Sequence, residues 1–478
     1  MKLRRIFFIF FILALLSSCA VLWAEEELPI DFERYSERVL IVKCGKFYMD
    51  QVIAIATQKG IVMIDTGKSP TLSTEYRKII EREFGRKDFS YVINTHYHFD
   101  HTDGNQVFSE AEIIAHENSP ERMRQFDGRR QDFIASRESA MEQWKNQLKA
   151  LDPNSQEAQR LREIIISQPI MLDDLANNYI LTLPTITFSD RMSLDLGDIT
   201  LNLIYFGQGR HTGDDIIIHC PEEKLLFTGD IFFRGSFSIA FSAQFDAPRW
   251  IEVMNDLLED EKEIDWVYDT HNGRMPVKFI SLWRDYLVDM WEGLNAAKKE
   301  GLSFEEVQDR FSYDKKFAYL EQSGLDKEQL RREHQQNLRF TWMRVLEQQS
   351  AATLLEQIIS ESGIKSALEK YREIRSKKEQ KYYFDETEFN GLGYRLLNGK
   401  RIPEAIEVFK INIEMYPESW NVYDSLAEAY MQNGQNDLAV EYYQKSLKLN
   451  PQNTNAVDML QRIKKKKLGT VPLLSPIS

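Results

Sequence analysis

YVINTHYHFDH, residues 91–101, joins an apolar run to a cluster of metal-ligand side chains, placing His96, His98, Asp100 and His101 within six positions. The β-branched start reads as a strand. Residues two apart on extended chain project to one side, so His96 and His98 can grip one cation from the strand end. Asp100 and His101 fall where the chain must turn toward a following helix, and they can face a second cation close by. Without a cation to organise them, so many desolvated imidazoles in one place would be costly. Of the eight histidines, seven lie between His96 and His271, so the chemistry is concentrated in one region.

The rest of the composition narrows what that region can be. The chain has 478 residues, enough for two to four domains, and 43% of them are apolar, ample for several cores. Its 74 acidic and 60 basic residues give a net charge of -14, a field that repels phosphate backbones and argues against nucleic acid as a partner. Only Cys19, Cys44 and Cys220 are present, which excludes a disulfide framework and a Cys-rich zinc module. Any metal must be held by histidines and carboxylates.

Short β-rich runs surround the cluster: VLIVKC from Val39, QVIAIATQKGIVMID from Gln51, AEIIAH ending at His116, TITFSD, ITLNLIYF, DIIIHC and KLLFTGDIFF, and IDWVYDTHNG from Ile264 returns to strand and loop. Between Glu117 and about Asn178 the pattern becomes charged and helical, which reads as a helical insertion. From Pro276 onward helix dominates. There, Phe389, Leu392, Gly393, Leu396, Ala405, Phe409 and Pro417 recur 34 residues later as Tyr423, Leu426, Ala427, Tyr430, Ala439, Tyr443 and Pro451. Period and residue types resemble the tetratricopeptide repeat, in which small residues let paired helices approach closely. Two repeats are too few to bury a core alone, so GIKSALEKYREIR before them and TNAVDMLQRIKKKK after them are expected to complete it.

With the strand-plus-HxHxDH signature in hand, the sequence resembles the metallo-β-lactamase superfamily over roughly Val39 to Arg274. The family's other motifs follow in order: MIDTG with Asp65 and Gly67, GRHTGDD with His211, FTGD with Asp230 and DTHNG with His271. The resemblance implies an α/β fold, the metallo-β-lactamase αββα sandwich with a helical insertion, followed by an all-α tetratricopeptide-type domain. It also implies that His96, His98 and His211 bind one Zn2+, that Asp100, His101 and His271 bind a second, and that Asp230 bridges the two. Asp65 would support the ligand loop. Such a site lowers the pKa of bound water from about 15.7 toward about 7. The implied activity is a dinuclear zinc metallohydrolase that uses this hydroxide on an ester, lactone, thioester or related bond of a small-molecule substrate, with Asp100 passing the proton.

Three alternatives stand beside that reading. Single-iron persulfide-oxidising relatives keep the same ligand set, whereas two-iron relatives replace the second histidine, here His98, with Glu. True β-lactamases generally lack the bridging Asp, so a β-lactam is not the first choice. The repeats also allow an interaction protein whose hydrolase domain is inactive, against which stand all seven filled ligand positions. Asn272 after His271, and HTGDD in place of the frequent HTPG, depart from the family pattern in loop geometry only.

Lys2, Arg4 and Arg5 before the apolar run Ile6 to Leu16 predict an export signal. Leu16-Ser17-Ser18-Cys19 resembles a bacterial lipobox, so the expected product is periplasmic or membrane-attached, as a lipoprotein through Cys19 or through an uncleaved signal. The expected organisation is a signal peptide at 1–24, a catalytic domain at 25–300 with the insertion at about 117–178, a helical connector at 301–380, repeats at 381–467 and a tail at 468–478. The repeats offer a surface for a protein partner or self-association. Arg122, Arg124, Arg129 and Arg130 of the insertion are expected either to line an entrance or to pair with nearby acids. His116 and His219 end apolar strands and read as structural. His334, in a charged helical stretch, is expected to be exposed.

Overall fold

The computed structural model describes residues 30–44, 50–207, 211–232, 236–238, 245–259, 264–271, 273–377 and 381–467. The export signal with Cys19, Asn272 and the tail from 468 lie outside these residues. The chain divides into two compact units, one running to residue 207 with 211–235 and 256–279, the other taking 236–255 and everything from 280 on.

Two mixed sheets build the first unit. Strands β1 (Ile30–Arg34), β2 (Val39–Cys44), β3 (Asp50–Thr57), β4 (Gly60–Ile64), β5 (Phe89–Ile93), β6 (Glu112–His116) and β7 (Ile186–Phe188) lie side by side in sequence order. The second sheet runs β13-β12-β11-β10-β9-β8, from β8 (Arg191–Asp195), β9 (Thr200–Tyr205), β10 (Ile216–Cys220), β11 (Leu225–Phe227), β12 (Trp266–Asp269) and β13 (Gly273–Pro276). β2 shows why the first sheet is covered on both faces. Its Val39 and Ile41 point into the sandwich, where they meet Leu201, Leu203, Ile216 and Ile218 of the second sheet. Its Leu40 and Val42 point the other way, against Leu72, Tyr76 and Ile80 of helix α1 (Pro70–Phe84). Each such fully buried side chain contributes on the order of 1.5–3 kcal/mol of transfer free energy.

β4, β5, β6 and β7 are parallel neighbours, and a parallel pair needs a crossover. The charged segment read as an insertion is that crossover between β6 and β7. It consists of α3 (Ser119–Asp127), α4 (Arg130–Ala150) and α5 (Gln156–Asn177), reached through the short helix α2 (Phe99–Thr102) and β6. His116, at the end of β6, is buried, stacks on Tyr205 and contacts Ser189 O through Nε2, a structural role. On the second sheet's outer face, His219, Asn202 and Ile204 lie beside Asp256 and Leu257 of α6 (Ala247–Glu259).

Among the described residues, the second unit is helical apart from a two-residue pairing of 349–350 with 382–383. α7 (Lys278–Glu300), α8 (Phe304–Arg310) and α9 (Lys327–Val345) precede α10 (Ala351–Ser376), which Gly363 breaks with φ 79° and ψ 172°. The expectation for His334 is overturned: it is 3% exposed. Its Nε2 donates to Phe311 O at 2.7 Å and its Nδ1 accepts from Tyr286 Oη at 3.1 Å, so the imidazole faces in while Arg332, two positions before it, is exposed. The repeat region forms α11 (Glu386–Asn398), α12 (Ile402–Met415), α13 (Trp420–Gln432), α14 (Asn436–Leu449) and α15 (Thr454–Lys467). One apolar core runs from Ala351 through Tyr371, Phe389, Phe409 and Tyr443 to Ile463, so the flanking helices α10 and α15 complete what two repeats cannot.

Candidate metal centre

The seven side chains singled out in the sequence converge where strand ends of the two sheets meet. His96 and His98 follow β5, Asp100 and His101 ride on α2, His211 precedes β10, Asp230 follows β11 and His271 follows β12. Ile216 N donates to Thr95 O at 2.9 Å, joining the two sheets beside the cluster. Ligand-type atoms of His96, His98, His211 and Asp230 lie within 4.8 Å of one another, and those of Asp100, His101 and His271 do likewise. Asp230 reaches both groups. Its Oδ2 is 3.1 Å from His271 Nε2, 3.6 Å from His211 Nε2 and 3.9 Å from His96 Nε2, while its Oδ1 is 3.6 Å from His101 Nε2.

The shell behind these groups aims them. Asp65, in the left-handed region at φ 58°, accepts from Thr95 N and Thr95 Oγ1, both at 2.8 Å, and from His101 Nδ1 at 2.7 Å. With its Nδ1–H donating to Asp65, His101 turns Nε2 toward the cluster. Asp215 does the same for His211, accepting from Nδ1 at 3.0 Å, and it is fixed in turn by Thr212 N and Oγ1, both at 2.8 Å, and Gly213 N at 3.1 Å. Thr270 Oγ1 donates to Asp230 Oδ1 at 2.8 Å. Gly229, just before Asp230, lies so near Thr95 that a Cβ would stand 2.8 Å from that side chain. Asp215 and Thr270 were not singled out from the sequence; the available signal was the carboxylate four residues after His211.

A divalent cation fits this arrangement. Among the described residues, His96 Nε2 and His101 Nε2 are buried with no hydrogen-bond partner, a cost that coordination would remove. Five imidazoles and two carboxylates are a donor set suited to zinc. Burial and then the neighbouring imidazoles push His96 well below the usual histidine range, and burial and then His211 bring His98 down to about 4, so both stay neutral as ligands must. Burial works against charge on His271, yet Asp230 and Asp100 push it up to about 10, so a cation would take the place of its proton between the same carboxylates. Burial likewise works against the Asp230 carboxylate, but His271 and His101 hold it well below the ordinary range.

The four insertion arginines divide. Arg130 is buried rather than at an entrance, Arg122 Nε lies 3.9 Å from buried Asp214, and Arg124 pairs loosely with Glu121 one helix turn away at 3.7 Å. Arg129 is exposed. Cys220 is buried in β10 and burial pushes its thiol up to about 12, so it is not a reactive group.

Comparison with known protein families agrees with this fold. The profile of the metallo-beta-lactamase superfamily matches residues 48–263, and that of the tetratricopeptide repeat matches residues 425–453. The protein thus carries a metallo-β-lactamase superfamily domain with a tetratricopeptide repeat toward its C-terminus. A curated relative, 2,4-dinitroanisole O-demethylase subunit alpha of Nocardioides sp. (strain JS1661), is 26% identical over 289 residues, 59% of this chain and 68% of the relative. Among solved structures, a metallo-beta-lactamase from Pontibacter korlensis aligns with TM-score 0.36 and 17% identity over 54% of this chain and 98% of its own. The inverting sec-alkylsulfatase Pisa1 from Pseudomonas sp. aligns with TM-score 0.49 and 14% identity over 87% of this chain and 66% of its own.

Proposed function

We propose that the protein is an exported dinuclear zinc hydrolase cleaving an ester, lactone, thioester or related bond of a small molecule. The observation that carries this reading is the convergence of two ligand groups with Asp230 within reach of both. His96, His98 and His211 would hold one ion, Asp100, His101 and His271 the other, and Asp230 would face both. When bound, the ions would supply Lewis acidity, lowering the pKa of water from about 15.7 toward about 7 and polarising the bond to be cleaved.

The chain's own residues account for the remaining requirements. His96 and His101 are sealed from solvent, with side chains 0% and 2% exposed, whereas Asp100, His211 and His271 are 18%, 19% and 28% exposed. Substrate therefore approaches past Asp100, His211 and His271. Asp100 Oδ2, 3.6 Å from His271 Nε2, is placed to accept a proton from the attacking water and return it to the leaving group. Arg122, its charge already facing Asp214, gives no strong selection for an anionic substrate. Export rests on the basic and apolar residues between Lys2 and Leu16. The Nocardioides relative is named as an O-demethylase of a nitroaryl methyl ether and as one subunit of an assembly. An activated aryl methyl ether thus joins the substrates to try, and a partner subunit joins self-association through the repeats.

Elemental analysis of protein purified without chelator, followed by turnover of an ester, lactone, thioester, phosphodiester, aryl methyl ether and chromogenic β-lactam panel, tests the reading. Close to two zinc per chain and hydrolysis of at least one compound are expected, both lost in Asp230→Ala. One iron with negligible zinc, or two zinc with no turnover anywhere in the panel, would overturn it.

A further inference from the structure

The helix that carries Asp100 and His101 is only four residues long, too short to hold its own geometry. Two anchors from the β6–β7 crossover grip it. At its start, the Phe99 ring packs 4.7 Å from Phe133 and 6.0 Å from Phe126, centroid to centroid, and joins the apolar cluster of Ile134, Met171 and Leu175. Just past its end, Asp103 donates its backbone N–H to Phe99 O at 3.0 Å, and its side chain, 2% exposed, faces Arg130.

Arg130 is the first residue of α4 and is itself 7% exposed. Its Nη1 lies 3.3 Å from Asp103 Oδ2, its Nε donates to Asp127 Oδ1 at 2.8 Å, and its guanidinium carbon sits 3.4 Å from the centre of the Tyr179 ring. A planar cation that bonds two carboxylates while stacking on an aromatic face is held in one orientation, which an ammonium cannot reproduce. Asp100 and His101 lie between the two anchors, whereas His96 and His211 are on other segments.

We propose that Arg130 is a positioning residue for the Asp100, His101 and His271 group, acting through Asp103 on the turn of α2. The crossover helices are then part of the metal site's framework and not merely a cover over it. This rests on the two-ion reading above.

The test uses the full chain and follows zinc retained during dialysis against a graded chelator, with the visible spectrum of the cobalt-substituted protein as a second readout. Wild type should hold two ions. Arg130→Met should keep one with wild-type resistance and release the other at roughly 10- to 100-fold lower chelator, with one of the two cobalt signatures altered. Arg130→Lys should fall between them, and Arg124→Ala, an exposed change on the same crossover, should match wild type. Should Arg130→Met not fold, as judged by circular dichroism, Arg130→Lys and Phe99→Leu carry the same comparison. Release of both ions as in wild type, or parallel weakening of both, sinks the positioning role alone. Fewer than two ions in wild type overturns the dinuclear reading and this inference with it.

Discussion

The His211 ring is aimed by a carboxylate four residues further on, and this pair shows what a motif contains beyond its ligands. GRHTGDD departs from the more frequent loop, yet the second Asp of that run, Asp215, accepts a hydrogen bond from His211 Nδ1 and pins Thr212 and Gly213. Burial opposes ionisation of Asp215, but His211 and the Thr212 donors bring it down to about 2, so it stays anionic throughout the working range. Removing it leaves His211 without its orienting acceptor. Asp215→Ala should weaken metal affinity roughly 10- to 100-fold, chiefly at the His96, His98 and His211 group. Competition with a chelator measures this; an unchanged affinity would mean that the protein backbone alone sets the ring.

At the scale of the element, the strands absent from the sequence reading are β1, β8 and β13, all of them sheet edges. An edge strand needs no apolar face on both sides: β8, RMSLD, buries only Leu194, so its pattern carries little hydrophobic signal. The central strands, buried on both faces, were plain. The helix pairs of the repeat region were equally legible, because close approach demands small residues. Gly393 on α11 meets α12 so tightly that a Cβ would stand 2.3 Å from Phe409 Cε1. Gly393→Ala would gain about 1 kcal/mol of helix propensity, yet overpacking of this kind costs about 1–3 kcal/mol. A net loss of unfolding stability is expected, recovered in part by adding Phe409→Leu, and denaturant unfolding of the three variants decides it. A Gly393→Ala protein more stable than wild type would show that the helix pair yields easily.

At the scale of the whole molecule, His334 ties stability of the helical unit to pH. Burial lowers its pKa from the ordinary value near 6.5 to about 4, and its acceptor nitrogen is engaged by Tyr286. In the unfolded chain the imidazole takes up a proton below about 6.5, while the folded form refuses it until about 4. The contribution is therefore complete above the unfolded value and is lost as pH falls through that window, on the order of 3 kcal/mol in all. Hydrogen exchange of α7 and α9 amides between pH 7 and 4.5 should show protection falling more in wild type than in His334→Gln. Parallel loss in both would place the acid sensitivity elsewhere.

The sequence by itself determined the elements whose pattern comes from local chemistry: strands buried on both faces, helices with a 34-residue repeat, and a run of ligand-type side chains whose spacing puts them on one side of a strand end. Only the tertiary structure decided how those pieces meet. The β6–β7 segment reads as an insertion in one dimension, and parallel pairing of Ile114 with Ile186 turns it into a crossover whose helices hold α2. Arg130 and His334 sit among charged neighbours in sequence, and the fold buries both, since burial depends on which helix face meets the core. Asp230 reaches both ligand groups because strands from two sheets end at one place, a convergence that no spacing along the chain encodes.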